Sequence, residues 1–571
     1  MSLETFLIAL VGLAVIVGAS VVSRRTGLAA PLLLLVLGLV ASYVPGVPHI
    51  ELEPEWILSG VLPPLLYASS TKVPAIDFRR NLKMIGWLSI VIVVISTLVI
   101  GFVVHALFAE LPLALCFALG AVVSPTDAVA ATSIGKRLGL PHRVMTVLEG
   151  ESLVNDATAL VLLRTALAAL VAGTFSVWGA IGDFAYAVVV AVVIGGVVGW
   201  VTVAIRARLS DPVITTAISL AVPFIAFFPA EELHASGVLA VVVAGLVTGN
   251  RGLKRLSARD RQSSATNWAT IEFLAENAVF LLMGLQLPTL VADIAGEDIG
   301  LSTMATIAVL VLGLLVVVRA VGVIVPRLVD RKLPARLEQH RDRHEQIEQR
   351  LAAVDPSTEA EQRRYDIFRR RLAASAADVD FYESERLTWR HTLVIGWAGM
   401  RGVVTLAAAQ TIPSEVEHRS LVILVAFAVA VGTLVLFTPT LPPVIKRMGF
   451  EETSPEDRRS EVGTLLQELV STTSERLGPL DQLTVAGEPL DPAVAERFRQ
   501  RFASMLSAGS RSEEDAPTAQ QMDQSHALQR LWLDELKESL AEERAIGAYD
   551  AATLQQAQKI LDAMETRFGT V

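Results

Sequence analysis

Apolar residues in this chain fall in long, nearly unbroken runs, without the spacing of a half-buried helix or the alternation of a half-buried strand. About thirteen of these runs reach the roughly 17–25 residues that a helix needs to cross a hydrocarbon core. They centre near Leu13, Val36, Leu62, Ile95, Leu119, Leu160, Val192, Leu220, Val241, Leu281, Leu312, Val403 and Val429. The pattern predicts an all-α, polytopic membrane protein, and several of its spans are short or interrupted.

The polar loops alternate in charge. Arg24 and Arg25, then Arg79, Arg80 and Lys83, then Lys136, Arg137 and Arg143, then Arg206 and Arg208, then Arg251, Lys254, Arg255, Arg259 and Arg261 occupy every second loop. The loops between them lie at 51–55, Glu110, Gly173, Glu231 and Glu232, 293–298 and 415–419, and Arg419 is their one basic residue. Because Lys and Arg collect on the cytoplasmic side of short loops, this alternation puts the N-terminus outside a cell membrane and the C-terminal tail in the cytoplasm. The first run lacks a basic segment before it and is followed by Arg24 and Arg25, as an uncleaved first span would be.

Two stretches are too polar for the bilayer. Residues 334–390 mix both charge signs with sparse Leu, Ile and Phe, which predicts a cytosolic helical insertion between the eleventh and twelfth spans. Residues 450–571 form a cytosolic, acidic, helical tail with a regulatory role, having helical runs at 528–540 and 551–568 and a Ser/Glu/Asp/Pro-rich linker at 507–524. The transmembrane domain is then 1–449, interrupted by the insertion.

Composition sharpens this division. Of 571 residues 52% are hydrophobic and 19% charged, below the ~25% charged share of soluble domains. The formal charge of −10 belongs to the tail, since residues 451–571 hold 23 acidic against 12 basic residues and leave 35 acidic and 36 basic before them. A single cysteine, Cys116, excludes a disulfide framework, a thiolate metal cluster and a Cys-x-x-Cys redox motif. The polar stretches hold no phosphate-cradling glycine loop, His-rich cluster or basic-aromatic stripe, so neither a cofactor nor a nucleic-acid partner is expected.

Ionisable groups at bilayer depth are costly and usually face a partner or a water-filled path. The sixth span contains Glu149-Gly150-Glu151-Ser152-Leu153-Val154-Asn155-Asp156, where Ser152 and Asp156 stand one helical turn apart on one face. They offer the oxygen ligands that suit small hard cations. Glu151 and Asn155 form a second pair one position round. The fifth span contains Ser124-Pro125-Thr126-Asp127-Ala128-Val129. Its proline must bend or break the helix, and Thr126 and Asp127 are good caps for the restart. The twelfth span contains Gly399-Met400-Arg401-Gly402, a second locally unwound segment with a cation at the break. Two such breaks in corresponding halves of an inverted repeat are how many transporter sites are built.

Arg319 in the eleventh span needs a partner, and Glu151 is the deepest carboxylate not otherwise assigned, so these two are expected to pair. Glu272 and Glu276 read as a polar helix end near the cytoplasmic side. Gly195 and Gly199 read as a small-xxx-small packing face.

With these three motifs in order, the chain resembles bacterial monovalent cation:proton antiporters of the NhaP and sodium/proton exchanger type, over roughly residues 5–446. The resemblance implies thirteen helices in inverted repeats with two discontinuous crossing helices, a homodimer in the lipid bilayer, and a core that moves as an elevator. It implies exchange of Na+ or Li+ for H+. By position it implies that Asp156 binds cation and proton alternately beside Asn155. Thr126, Asp127 and Ser152 would add ligands for the transported Na+. It also implies that Glu151 and Arg319 form a core ion pair and that Arg401 stabilises the helix crossing. One departure stands out, because many relatives carry a glutamate where Leu62-Pro63-Pro64-Leu65-Leu66-Tyr67 is followed here by Ala68.

A carboxylate kept from water holds a proton more firmly, so a proton and a cation would compete at Asp156. If only the occupied, neutral site crosses the bilayer, competition alone couples the two flows. One such carboxylate beside a neutral amide predicts one-to-one, electroneutral exchange. A K+/H+ antiporter with tail-regulated activity and a channel or transport-like sensor scaffold are the alternatives. An enzyme is not expected: Asp127 and Asp156 could form an intramembrane protease dyad, but the Gly-x-Gly-Asp pattern of those enzymes is missing.

Overall fold

The computed structural model describes residues 3–26, 30–44, 56–172, 177–209, 211–295, 300–329, 358–384, 386–450, 455–485, 488–506 and 519–568, with isolated positions between 341 and 351. The expected loops at 51–55, around Gly173 and at 296–298, the start of the insertion at 334–340 and most of the expected linker, 507–518, lie outside these residues.

The chain forms two compact units: Met1–Leu256 with Asp260–Arg336 and Glu385–Glu452, and Ser257–Arg259 with Leu337–Ser384 and Thr453–Val571. The helices of the first unit are α1 (Leu3–Thr26), α2 (Ala30–Ser42), α3 (Leu62–Ser70), α4 (Ala75–Gly86), α5 (Val93–Leu107), α6 (Leu113–Val123), α7 (Val129–Arg137), α8 (His142–Ala172), α9 (Val177–Arg206), α10 (Pro212–Glu232), α11 (Gly237–Arg255), α12 (Ala258–Ala295) and α13 (Leu301–Val329). After α14 (Glu359–Ser384), which belongs to the second unit, come α15 (Trp389–Trp397), α16 (Val403–Gln410) and α17 (Arg419–Met448). Each of the thirteen expected centres lies on one of these helices. Eight stretches among the described residues are long and apolar enough to cross a membrane, and α2 and α6 are shorter apolar helices.

Small residues decide how closely these helices approach. A Cβ on Gly195 would lie 2.2 Å from the carbonyl oxygen of Ala240, and one on Gly199 would lie 2.9 Å from that of Ala244. α9 therefore rests on the backbone of α11, the close contact that small-xxx-small spacing permits. Ala68 is fully buried, and the adjacent Tyr67 ring lies 4.8 Å from that of Trp268. The position of the relatives' glutamate is thus part of an apolar core.

In the second unit α14 packs on α20 (Ala519–Ile546). Around them stand α18 (Pro455–Leu477), α19 (Pro492–Leu506) and α21 (Ala551–Phe568). Leu465, Leu469, Val494, Leu528, Leu536 and Leu554 form part of its core. The helix expected at 528–540 runs further at both ends. A small antiparallel hairpin pairs Thr484 with Pro489 and Val485 with Glu488, a minor exception to an otherwise helical fold. Charge binds the helices at the rim: Arg476 reaches Glu535 at 3.1 Å and also Glu542, Arg370 of α14 reaches Glu542 at 3.0 Å, and Lys537 reaches Glu565 at 2.9 Å. Insertion and tail, separate in sequence, fold as one body.

Candidate functional site

The fifth and twelfth spans are each broken in the middle. α6 ends at Val123, Pro125 forbids continuation, and α7 restarts at Val129. α15 ends at Trp397, residues 398–402 are unwound, and α16 restarts at Val403. The breaks meet, because the Asp127 amide donates to the Met400 carbonyl at 2.7 Å, a single antiparallel bridge.

A broken helix leaves carbonyls without partners at one new end and N–H groups at the other, with the partial charges of the helix dipole on each. Both kinds of end are answered here. The Arg401 guanidinium donates from Nε to the Val123 carbonyl at 2.7 Å and from Nη1 to the Gly399 carbonyl at 2.8 Å. One buried cation thereby satisfies the C-terminal ends of α6 and α15. Its own backbone N–H donates to Thr433 Oγ1 at 3.0 Å. Asp127 does the converse, since its Oδ1 accepts from the Val129 amide at 2.8 Å at the start of α7. It also abuts the start of α16, where a Cβ on Gly402 would lie 1.7 Å from Asp127 Oδ2. Only glycine lets the carboxylate come so near.

α8 passes beside this crossing and carries the acidic motif on two faces. Glu151 is buried and pairs with Arg319, accepting from Nη1 and, at 3.0 Å, from Nη2. Thr126 Oγ1 donates to the same carboxylate at 2.8 Å, while Arg319 Nη2 also donates to the Ile395 carbonyl at 2.9 Å. Asn155 Nδ2 donates to the Thr126 carbonyl at 3.1 Å and to its Oγ1 at 3.0 Å. A continuous polar chain, Arg319–Glu151–Thr126–Asn155, thus holds the first break against α8.

The other face opens on a cavity of about 50 Å³, room for a few water-sized occupants at the ~10–15 Å³ that one water needs. Asp156, Ser152, Thr126 and Asp127 line it together, with Thr405 of α16 and Ser69 of α3. Asn155 does not, because it lies in the polar chain behind the wall. Its Oδ1 is buried without a hydrogen-bond partner.

Glu272 and Glu276 also line this cavity, which departs from the polar helix end read from sequence. Glu276 lies midway along the 38-residue α12, far from either terminus. Glu272 is held by Lys72 and by Ser69 Oγ at 3.1 Å. The available signal was two carboxylates one turn apart in a span, which at membrane depth points to function. Four carboxyl groups, of Asp127, Asp156, Glu272 and Glu276, thus surround one small space with hydroxyls between them. Among the described residues no three His, Cys, Asp or Glu side chains converge as a metal-holding group.

Two discontinuous helices crossing in a multi-span bundle, with an anion at one pair of ends and a cation at the other, define the architecture of a secondary transporter. Sequence comparison makes this specific. The family model for the transmembrane sodium/hydrogen exchanger matches residues 11–447, and the chain belongs to that family. It is accordingly a multi-span membrane protein that exchanges cations for protons, and it is a transporter, not an enzyme. An uncharacterised Na+/H+ exchanger of Mycobacterium tuberculosis is 28% identical over 97% of this chain and 94% of its own length. A Bacillus subtilis protein named as a sodium, potassium, lithium and rubidium/H+ antiporter is 28% identical over 77% of this chain and 61% of its own length. Among solved structures, the sodium proton antiporter MjNhaP1 of Methanocaldococcus jannaschii superposes with a TM-score of 0.54 at 15% identity, covering 78% of this chain and 100% of that one. That likeness establishes the fold.

Proposed function

We propose that this protein exchanges one Na+ for one H+ through Asp156, which binds either ion but not both. The observation that carries the reading is that Asp156, Ser152, Thr126 and Asp127 line one small cavity at the helix crossing. Asp127 is committed to the starts of two half-helices, its Oδ1 accepting from the Val129 amide and its Oδ2 lying against Gly402, and Glu272 is held by Lys72. Of Asp156 and Glu276, Asp156 stands one turn from Ser152 beside the crossing, which makes it the carboxylate that exchanges. Asn155 acts behind it, through Thr126. Moving a bare carboxylate through a low-dielectric barrier costs several kcal/mol, so only the neutralised site crosses, and that condition links the two flows. The bundle with the crossing moves as an elevator against a scaffold that forms a homodimer in the plasma membrane, with the N-terminus outside. In this reading 1–449 is the transport domain, while the 334–390 insertion and the 450–571 tail form a cytosolic regulatory body. The name of the Bacillus relative favours a second reading, in which K+ is carried as well as Na+ and Li+.

The test is reconstitution of wild type and Asp156→Asn in liposomes with a pH dye inside. Na+, Li+ and K+ are added in turn outside liposomes whose interior has been pre-acidified. Cation-dependent alkalinisation that Asp156→Asn abolishes is expected, and the cations that elicit it define selectivity. At fixed ion gradients an imposed voltage should leave the rate unchanged, whereas voltage-driven exchange would refute one-to-one stoichiometry. Transport retained after deletion of residues 451–571 would assign the tail to regulation.

A further inference from the structure

A much larger cavity, about 540 Å³, lies between α13, α15 and α17, with Gly399 and Arg401 of the second break in its wall. Its size falls within the roughly 300–1,000 Å³ of small-molecule sites. The wall is almost wholly apolar, and Val316, Ile324, Leu393 and Trp389 at its edge are 39%, 49%, 37% and 52% exposed. In a membrane bundle such an edge faces lipid. The inner end is different, because Arg319 and Arg401 both line it.

Two observations at that inner end define what would fit. Arg319 is 93% buried, and its Nε has no hydrogen-bond partner although both terminal nitrogens are engaged. A buried donor left unmet is costly, and this one lies 3.3 Å from where a Cβ on Gly399, a residue of the cavity wall, would stand, so an acceptor admitted past that glycine would recover the cost. The carboxylate bonds are also unevenly shared. Arg319 is matched by Glu151, whereas the hydrogen bonds of the Arg401 guanidinium run to the carbonyls of Val123 and Gly399. Among the described residues no carboxylate oxygen bonds the Arg401 guanidinium, which lines the apolar space.

We propose that this cavity binds a single-chain fatty acid drawn from the membrane, with its hydrocarbon in the cleft and its carboxylate against Arg319 Nε and the neighbouring Arg401. One chain answers the shape, and one acidic head answers both the unpaired donor and the guanidinium that no carboxylate bonds. A diacyl phospholipid would have to bring a bulky zwitterionic or glycerol headgroup to a place with one open donor. The bound head touches the same two guanidiniums that hold the helix crossing, which brings the ligand within one side chain of the transport network.

Trp389 and Trp397 line the cavity, so bromine, which quenches indole fluorescence at contact, reports occupancy directly. The full-length protein in nanodiscs is titrated with 9,10-dibromostearic acid and, separately, with its methyl ester. Saturable quenching by the acid is expected, with the ester about tenfold weaker or worse because it lacks the charge. Quenching should largely disappear in the Trp389→Phe/Trp397→Phe double variant. Filling the cleft by Gly396→Leu, or by Ala320→Phe should the first variant fold poorly, should weaken the acid by tenfold or more. Equal quenching by acid and ester, or quenching untouched by the filling variants, would mean ordinary annular contact and overturn the proposal. Saturable quenching of the same two tryptophans by a dibrominated phosphatidylcholine, matching that by the acid, would assign the cleft to phospholipid and overturn it equally.

Discussion

At residues 124–128 the chain is interrupted by a proline and carries an aspartate, whereas at 398–402 it is loosened by two glycines and carries an arginine. The two segments share no residue type that matters, yet both unwind a helix at the same place in the bundle and each repairs the other. Arg401 of the second break bonds the carbonyl of Val123 at the end of α6, and Asp127 of the first break lies against Gly402 at the start of α16. Exposing helix ends in a low-dielectric core is costly, and opposite charges placed in trans offset that cost while fixing the crossing angle. Both breaks reach the small cavity, the first through Thr126 and Asp127 and the second through Gly402, while the second also lines the large apolar one through Gly399 and Arg401. Each break thereby has its own chemistry.

Substitution can separate these roles. The largest effect is expected at Gly402, where an alanine methyl must displace the Asp127 carboxylate from 1.7 Å. Gly402→Ala should abolish cation-dependent proton efflux in liposomes, whereas Gly399→Ala, whose nearest neighbour is Arg319 Nε at 3.3 Å, should keep a measurable rate. Equal activity of the two variants would dissolve the idea that contact across the crossing is what glycine serves.

Arg401→Gln comes next. It removes the donors to two buried carbonyls, each worth ~1–3 kcal/mol when left unmet, so the thermal midpoint of the purified protein should fall by several degrees. A lysine, with one point of contact in place of a planar fork, should recover only part of that loss. Asp127→Asn is expected to do less to stability, since an amide oxygen still accepts from the Val129 amide and the interaction lost with the helix ends is ~0.3–1 kcal/mol. Its effect should instead register as a raised KM for the cation. Unchanged KM together with a large fall in midpoint would make Asp127 purely structural.

The smallest effect lies outside the bundle. Burial, with Glu468 and Glu542 nearby, pushes the Glu543 carboxyl above its ordinary value, so its proton is held more firmly in the folded unit than in the unfolded chain. The stabilisation is present below the ordinary glutamate value of ~4.3 and is lost as pH rises through the raised one. Asp491, held low by its hydrogen bond from Gln521 and the Ala493 amide, acts with the opposite sign, and only at more acid pH. Hydrogen exchange in α20 and α21 of the full chain should accordingly slow slightly from pH 7 to 5 after correction for intrinsic rates. Glu543→Gln should flatten that trend.

Much of the site could be read from local sequence because local physics fixes it. Pro125 cannot continue a helix, so the first break is legible from one residue. Ser152 and Asp156 share a face because α8 runs unbroken through them, and the periodicity of a helix does the rest. The pairing of Arg319 with Glu151 was open to elimination, since few charges lie so deep. Asn155 was harder: its neighbour Asp156 lines the cavity, but one residue of helical rotation turns Asn155 toward Thr126. Glu276 was hidden because depth depends on where a 38-residue helix begins and ends, and local composition does not report that.

By itself, then, the sequence determined the spans, their breaks and the identity of the charged groups, since hydropathy, proline geometry and the cost of burying charge all act within a turn or two of chain. Only the tertiary structure decided which groups meet. Arg401 and the Val123 carbonyl are 278 residues apart, the insertion joins the tail across residues 385–452, which carry α15, α16 and α17, and the apolar cleft exists only where three helices fail to close on one another. Such contacts follow from how whole helices pack, and no short window of residues contains the information that sets them.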